Sequence, residues 1–324
     1  MERTVLVTDH VFGDLDAERA ALAAIDCRLE QAPASDPETL AALAAGAAGI
    51  LVCFAQVGEA VVDAAARGGC RIIARYGIGV DNVAVDAATR AGIQVTNVPD
   101  YCLDEVADHA MALLLAAARG VVTAARGVRA GEWTVPQDGI HRLAGRRLAL
   151  VGVGRIGRRV ADRARVFGYE VVGYDPFVED WEGSGITPAA SVEEAVSGAD
   201  AVSLHAPLTD ATRHVIDDDA IAHMRRRPVL INTSRGGLVD LDAVTRALAD
   251  GRLAGVALDV TDPEPLPLDR PLRTDPRAIV TPHMSFYSAE SQDELQRRAV
   301  EEVVRALTGR EPRCPVNRPQ EAVA

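Results

Sequence analysis

Three apolar runs of the chain end in groups that could do chemistry together. The run 229–232 leads into Thr233-Ser234-Arg235-Gly236-Gly237. The run 255–260, with Asp259 inside it, leads into a proline-rich loop, 262–267, that carries Glu264. The run 278–280 leads into Thr281-Pro282-His283. If these runs are parallel strands of an open α/β sheet, their carboxyl ends line the ligand crevice. An arginine grips a carboxylate through two parallel hydrogen bonds. An imidazole exchanges protons near neutrality, and an acid beside it fixes its orientation. A dehydrogenase acting on a small organic acid needs such a set. Taken singly, Arg235 reads as well as a surface arginine at a helix start, Glu264 as a solvated loop acid and His283 as a satisfied loop histidine.

A nucleotide signature stands upstream and favours the joint reading. Leu148-Ala-Leu-Val-Gly152-Val-Gly154-Arg155-Ile156-Gly157 is G-x-G-x-x-G directly after one apolar run and at the head of a helix, and Asp175 ends the next run. In that pattern the first glycine makes the tight turn and the second lets backbone approach a pyrophosphate. The third lets helix and strand pack closely, and the acid follows about 20 residues on to bind ribose hydroxyls. The pyrophosphate rests on the unpaired N–H groups of the helix start. Asp175 would repel the extra phosphate of NADP, and no arginine adjoins it, so NAD is the expected cofactor. A turn with no ligand and a site for S-adenosylmethionine are the alternatives.

The elements that must position these groups alternate along the chain. Residues 4–8, 49–54, 71–75 and 94–98 read as strands, with helices over 16–25, 38–45, 59–67 and 85–91 between them. One long helix is expected over 103–130, where Val106, Ala110, Leu113, Leu114 and Ala117 recur at helical spacing. It would link two lobes or pack on a partner subunit. A second series has strands at 148–153, 170–174, 201–205, 229–233, 255–260 and 278–281, and a last helix covers about 288–307. The fold class is therefore α/β with two doubly wound parallel-sheet lobes.

Composition narrows the functions. The chain has 324 residues, 48% apolar and 25% charged, enough for two globular domains. No apolar run is long enough to span a bilayer. The first residues read as a strand rather than a leader, so a cytoplasmic address is expected. A net charge of −13 from 34 basic and 47 acidic residues is a poor match to a nucleic-acid backbone, and no membrane partner is expected. The sequence contains no lysine. Schiff-base, P-loop and Ser-Lys chemistries are therefore excluded. Five scattered cysteines, Cys27, Cys53, Cys70, Cys102 and Cys314, form no C-x-x-C and read as buried thiols. Glu105 and His109 lie four apart on the long helix, where an interface or helix-surface role is favoured over a metal site.

Over almost its whole length the chain resembles the D-isomer-specific 2-hydroxyacid dehydrogenase family. The resemblance is carried by Arg75-Tyr-Gly77-Ile-Gly79-Val-Asp81-Asn82, the 152–157 fingerprint, His205-Ala-Pro207-Leu-Thr209, Asn232-Thr-Ser-Arg235-Gly236-Gly237-Leu-Val-Asp240, Ala257-Leu-Asp259-Val and Thr281-Pro282-His283. Thr281-Pro-His-Met-Ser-Phe-Tyr-Ser288 and Arg75-Tyr-Gly-Ile-Gly are similar to the C-terminal-binding-protein branch, which includes NAD-binding transcriptional corepressors. The resemblance implies a flavodoxin-like substrate lobe of residues 1–98 plus 289–324, and a Rossmann NAD lobe of 99–288. It implies that Arg235 holds and polarises a 2-oxo acid, that His283 is the acid/base, and that Glu264 pairs with His283.

Further roles come from the same resemblance. Backbone N–H groups of Ile78 and Gly79 would grip the substrate carboxylate with Arg75 nearby, and Phe286 would shape the pocket where corepressor relatives carry tryptophan. Arg155, Ile156, His205, Ala206, Pro207, Thr212, Thr233, Ser234, Arg235, Asp259 and His283 would line the cofactor, with no metal. The expected reaction is hydride transfer between NAD(H) and a small D-2-hydroxy or 2-oxo acid, in a homodimer formed through the long helix. A corepressor-like NAD(H)-sensing protein and an oxidoreductase on an unusual anion are the alternatives. The loop 52–57 has no cation for a substrate phosphate, which argues against 3-phosphoglycerate.

Overall fold

The computed structural model describes residues 3–135 and 139–319. Residues 1–2 and 320–324 of the expected substrate lobe lie outside the described residues. The chain divides into two units, one running to Tyr101 and resuming at Ser288, the other Cys102–Tyr287.

Unit 1 is built from β1 (Arg3–Val7), α1 (Asp16–Ala23), β2 (Cys27–Gln31), α2 (Pro37–Ala44), β3 (Ala47–Val52), α3 (Glu59–Arg67), β4 (Ile72–Arg75), α4 (Val85–Arg90) and β5 (Gln94–Thr96). Its five strands are parallel in the order β2-β1-β3-β4-β5, with Val5 opposite both Leu29 and Gly49. β2 was not evident from its residues, because Cys27-Arg-Leu-Glu-Gln alternates apolar and charged groups as an edge strand does. The central runs Ile50–Val52 and Ile72–Ile73 are fully buried, as a sheet covered on both faces requires.

The C-terminal helix of the chain (Ala289–Leu307) returns to this unit. Ser288 caps it, accepting from the Ser291 N–H while Ser291 Oγ accepts from the Ser288 N–H. Its stripe of Leu295, Ala299, Val300, Val303 and Leu307 is buried, and each larger side chain contributes roughly 2 kcal/mol. The wholly buried Glu18 is tolerated because Tyr76 Oη donates to it at 2.9 Å and Gln296 Nε2 at 3.2 Å.

Unit 2 contains α5 (Leu103–Ala118), α6 (Val121–Arg129), β6 (Arg147–Val151), α7 (Arg155–Val166), β7 (Glu170–Tyr174), β8 (Thr187–Pro188), α8 (Val192–Ser197), β9 (Ala201–Leu204), α9 (Asp218–Ala222), β10 (Val229–Asn232), α10 (Leu241–Ala249), β11 (Gly255–Leu258) and β12 (Ala278–Val280). The sheet is parallel in the order β12-β11-β10-β9-β6-β7-β8. The two-residue edge strand β8 adds to the six strands expected.

The long helix expected over 103–130 is corrected to two helices, α5 and α6, bent by 62°. Gly120 between them has φ +62°, a left-handed conformation that ends a helix and that glycine adopts without strain. α5 buries Ala107, Ala110, Met111 and Leu114 in one cluster with Val160, Ala161 and Ala164 of α7 and Leu150 of β6. By contrast, α6 has no buried residue. Among the described residues no single helix is long and apolar enough to cross a membrane.

Candidate active site

Every unit 2 residue expected to touch NAD or substrate, except Thr212 and Phe286, lies at or just beyond the carboxyl end of one of six adjacent strands, β12-β11-β10-β9-β6-β7. The chain runs outward from β6 to β7 on one side and from β9 to β12 on the other, so the switch point lies between β6 and β9. The glycine turn follows β6 and His205-Ala206-Pro207 follows β9. Gly152 has φ +91°, and a Cβ there would sit 2.6 Å from Ala206 N. A Cβ on Gly157 would lie 2.4 Å from the Gly152 carbonyl oxygen, so helix and turn are in contact. A Cβ on Gly154 would meet nothing within 4 Å. It would instead fill the space that a pyrophosphate needs over the start of α7. That helix has no side-chain cap and no acid in its first turn, so its first N–H groups and its dipole suit an anion.

Asp175 closes this turn. Its Oδ2 accepts from Val153 N at 2.8 Å and its Oδ1 from Phe177 N at 3.0 Å, which holds a carboxylate beside the glycine turn. Two buried polar atoms on the neighbouring strand ends lack a partner among the described residues, His205 Nδ1 and Thr233 Oγ1. Unsatisfied buried atoms of this kind are uncommon in native proteins and point to a bound group. Burial pushes the His205 imidazole down to about 4, so the ring is neutral at pH 7, with Nε2 2.9 Å from Ser203 Oγ. Thr212 lies in the loop after Pro207, where its hydroxyl donates to the Pro207 carbonyl at 2.7 Å. The residues present therefore fit a dinucleotide.

The three ends beyond β10, β11 and β12 carry the polar set. His283 Nδ1 is 2.8 Å from Glu264 Oε2, and Glu264 Oε1 accepts from Thr261 N at 3.1 Å. Glu264 thus holds the ring from one side and is itself held by backbone. The loop bearing Arg235 is pressed on the same segment, since a Cβ on Gly236 would lie 2.0 Å from the Thr261 carbonyl carbon. Asn232 locks that loop, its amide donating to the Arg235 carbonyl at 2.8 Å and its Oδ1 accepting from Ser234 N at 3.0 Å.

Asp259, 1% exposed, organises the turn around His283. Its Oδ1 accepts from Thr281 Oγ1 at 2.5 Å and Met284 N at 3.0 Å, and its Oδ2 from Ser285 N at 2.8 Å. Its backbone carbonyl accepts from His283 N at 2.8 Å. Burial alone would raise the pKa of this carboxyl. The bonds from Thr281, Met284 and Ser285 outweigh it and hold the group below the ordinary carboxylate value, so it is an anion. Phe286 follows on the same turn and is half-buried. His109 of α5, read from the sequence as a surface or interface group, instead places Nε2 3.1 Å from Thr281 Oγ1.

The remaining candidates belong to unit 1. Arg75 ends β4 and its Nη1 donates to the Tyr76 carbonyl at 2.6 Å. Asn97 Nδ2 donates to the Ile78 carbonyl at 2.6 Å and fixes the segment that carries Ile78 and Gly79. Sequence reasoning missed Asp9 at the end of β1. It accepts from the N–H groups of Cys53 at 3.0 Å, Phe54 at 2.7 Å and Ala55 at 3.1 Å. Its position at a strand end was the available signal.

Comparison with known proteins gives the family. Residues 111–285 match the model of the D-isomer specific 2-hydroxyacid dehydrogenase, NAD binding domain. The chain is 39% identical over 251 residues to a D-3-phosphoglycerate dehydrogenase of Methanocaldococcus jannaschii, a match covering 77% of this chain and 48% of that protein. It is 40% identical over 252 residues to a glyoxylate reductase of Korarchaeum cryptofilum, covering 76% of each. The matched part thus spans about half of the first relative's length and three quarters of the second's. The crystal structure of a glyoxylate reductase from Paecilomyes thermophila superposes with a TM-score of 0.88 at 29% identity, over 97% of this chain and 98% of that one. On these grounds the chain belongs to the D-isomer-specific 2-hydroxyacid dehydrogenase family.

Proposed function

We propose that this protein interconverts a small D-2-hydroxy acid and its 2-oxo acid with NAD(H), using His283 as acid/base. The observation that carries the reading is the 2.8 Å pairing of His283 Nδ1 with Glu264, in the same unit as a glycine turn shaped for a dinucleotide. The 152–157 turn and Asp175 hold NAD(H), which when bound supplies or accepts the hydride. Glu264 keeps a proton on Nδ1 and so leaves Nε2 to exchange one with substrate. In reduction His283 donates that proton to the carbonyl oxygen, and in oxidation it takes it back. Arg235 grips the substrate carboxylate and polarises the carbonyl, as a guanidinium does without losing its own proton. The substrate contacts of Arg75, Ile78, Gly79 and Phe286, and the cofactor contacts of Arg155, Ile156, Thr212 and Ser234, rest on the family resemblance.

Glyoxylate and its near relatives are the first substrates to try, because a glyoxylate reductase is among the similar proteins. Oxidation of NADH should be followed over glyoxylate, hydroxypyruvate, pyruvate and bulkier or phosphono 2-oxo acids. Turnover on none of them, together with NADH-dependent capture of a protein partner, would replace the enzyme by the corepressor-like sensor that 281–288 resembles.

A homodimer and a cytoplasmic address complete the proposal. α6 exposes Val121 and Val128, and Trp133 and Val135 follow at 89% and 78% exposure, an apolar surface suited to a second copy. Sedimentation should give twice the chain mass, and Trp133→Arg should shift it toward the monomer. The structure forms no disulfide among the described residues, in keeping with a reducing compartment.

A further inference from the structure

The chemistry above leaves His109 unused, yet its ring reaches the turn that carries His283. Thr281 Oγ1 lies 2.5 Å from Asp259 Oδ1 and 3.1 Å from His109 Nε2. A hydroxyl has one proton, and beside an ionised carboxylate it donates there. The contact with His109 is then a bond from Nε2–H to the threonine oxygen, with Asp259 Oδ1 3.6 Å from the same nitrogen. From Thr281 the order continues. Asp259 also collects the N–H groups of Met284 and Ser285, and its carbonyl takes that of His283. The residues on both sides of His283 are thus fastened to one buried carboxylate.

That fastening has strain to resist. His283 has φ +50°, a left-handed backbone conformation that costs a non-glycine residue about 1 kcal/mol or more. Such a turn persists only where its surroundings over-determine it. Thr281 has three staggered side-chain positions. An N–H donor on one side and a carboxylate on the other select the one that feeds Asp259.

We infer that His109 is a positioning residue for His283, acting from α5 through the Thr281 hydroxyl and Asp259. The inference rests on the reading of His283 as acid/base and adds to it a residue from a distant part of the sequence. His109→Leu removes the donor, and His109→Gln keeps an amide N–H of similar reach.

The test is steady-state kinetics on the best 2-oxo acid, with NADH affinity and melting temperature measured in parallel. His109→Leu should lower kcat about tenfold, roughly what one well-placed hydrogen bond can supply. KM and NADH affinity should change less than about twofold, and His109→Gln should recover most of kcat. In a cycle with Thr281→Val, the double variant should lose less than the product of the two single losses, because both side chains serve one carboxylate, His109 Nε2 lying also 3.6 Å from Asp259 Oδ1. A role in fold stability alone would not produce that coupling. His109→Asn, too short to reach Thr281, serves the same cycle if the leucine variant does not fold. The inference is overturned by unchanged kcat in the truncated variant, by an effect confined to KM, or by losses that multiply in the cycle. His283→Ala distinguishes the two levels. Near-normal turnover there removes the acid/base reading itself, whereas an inactive His283→Ala beside a fully active His109→Leu removes only the role of His109.

Discussion

The two units solve the same architectural problem in opposite ways. Each is a parallel sheet with a switch point, between β6 and β9 in unit 2 and between β1 and β3 in unit 1. In unit 2 the turn after β6 offers the uncapped start of α7, with buried His205 Nδ1 and Thr233 Oγ1 still to be satisfied. In unit 1 the N–H groups after β3 are spent on the protein's own Asp9. A carboxylate supplied by the chain occupies the kind of position where unit 2 can take a phosphate. Parallel-sheet topology therefore permits a nucleotide site at either crevice, and the local use of backbone donors decides which one becomes it.

Four experiments would break or sharpen this contrast. The largest effect should come from the strand end of unit 2 that carries His283. His283→Ala should cut turnover by roughly 10²–10⁴, the usual contribution of a positioned acid/base, while NADH affinity changes less than twofold in a fluorescence titration. The contrast breaks if NADH affinity falls in parallel. In unit 1, Asp9→Ala should leave three N–H groups without their charged acceptor. It should destabilise the protein by about 3 kcal/mol in denaturant melts and leave NADH affinity intact. Unchanged stability would mean that Asp9 does not hold the unit 1 crevice.

A pH titration follows in size. His205 has a folded value near 4, below the ordinary 6.5, so the unfolded chain binds its proton first as pH falls. Its contribution is fully present above about pH 6.5 and is lost between there and about pH 4. The loss should be at most about 3 kcal/mol, less because the residue is partly exposed. His205→Asn should flatten the stability curve over that interval, and an unchanged slope would sink the assignment. The smallest change concerns the cradle itself. Gly154→Val should weaken NADH binding about tenfold or more, 1.4 kcal/mol, with little change in melting temperature. A large fall in melting temperature with normal NADH affinity would reverse the roles given to Gly154 and Gly157.

Much of unit 2 was legible because its signals are local. Gly152, Gly154, Gly157 and Asp175 fall within one strand-turn-helix-strand unit, where spacing alone dictates which groups meet. Arg235, Glu264 and His283 were legible as residues ending apolar runs. Less local features escaped. The break at Gly120 was hidden by apolar spacing that continues through it. β2 was hidden by an edge pattern with charged residues. Asp9 is 44 residues from the first N–H it binds, and His109 is 172 from Thr281.

Periodicity, a glycine triplet and strand-end polar residues are properties of short stretches, and by themselves they determined the α/β class and the dinucleotide turn and marked His283 as a candidate. Which donors remain open at a sheet edge was decided only by tertiary structure. A hydrogen bond is satisfied by whatever the fold brings within about 3 Å, and that neighbour is set by strand order rather than by distance along the chain. Asp9 and His109 have their places in this protein for that reason.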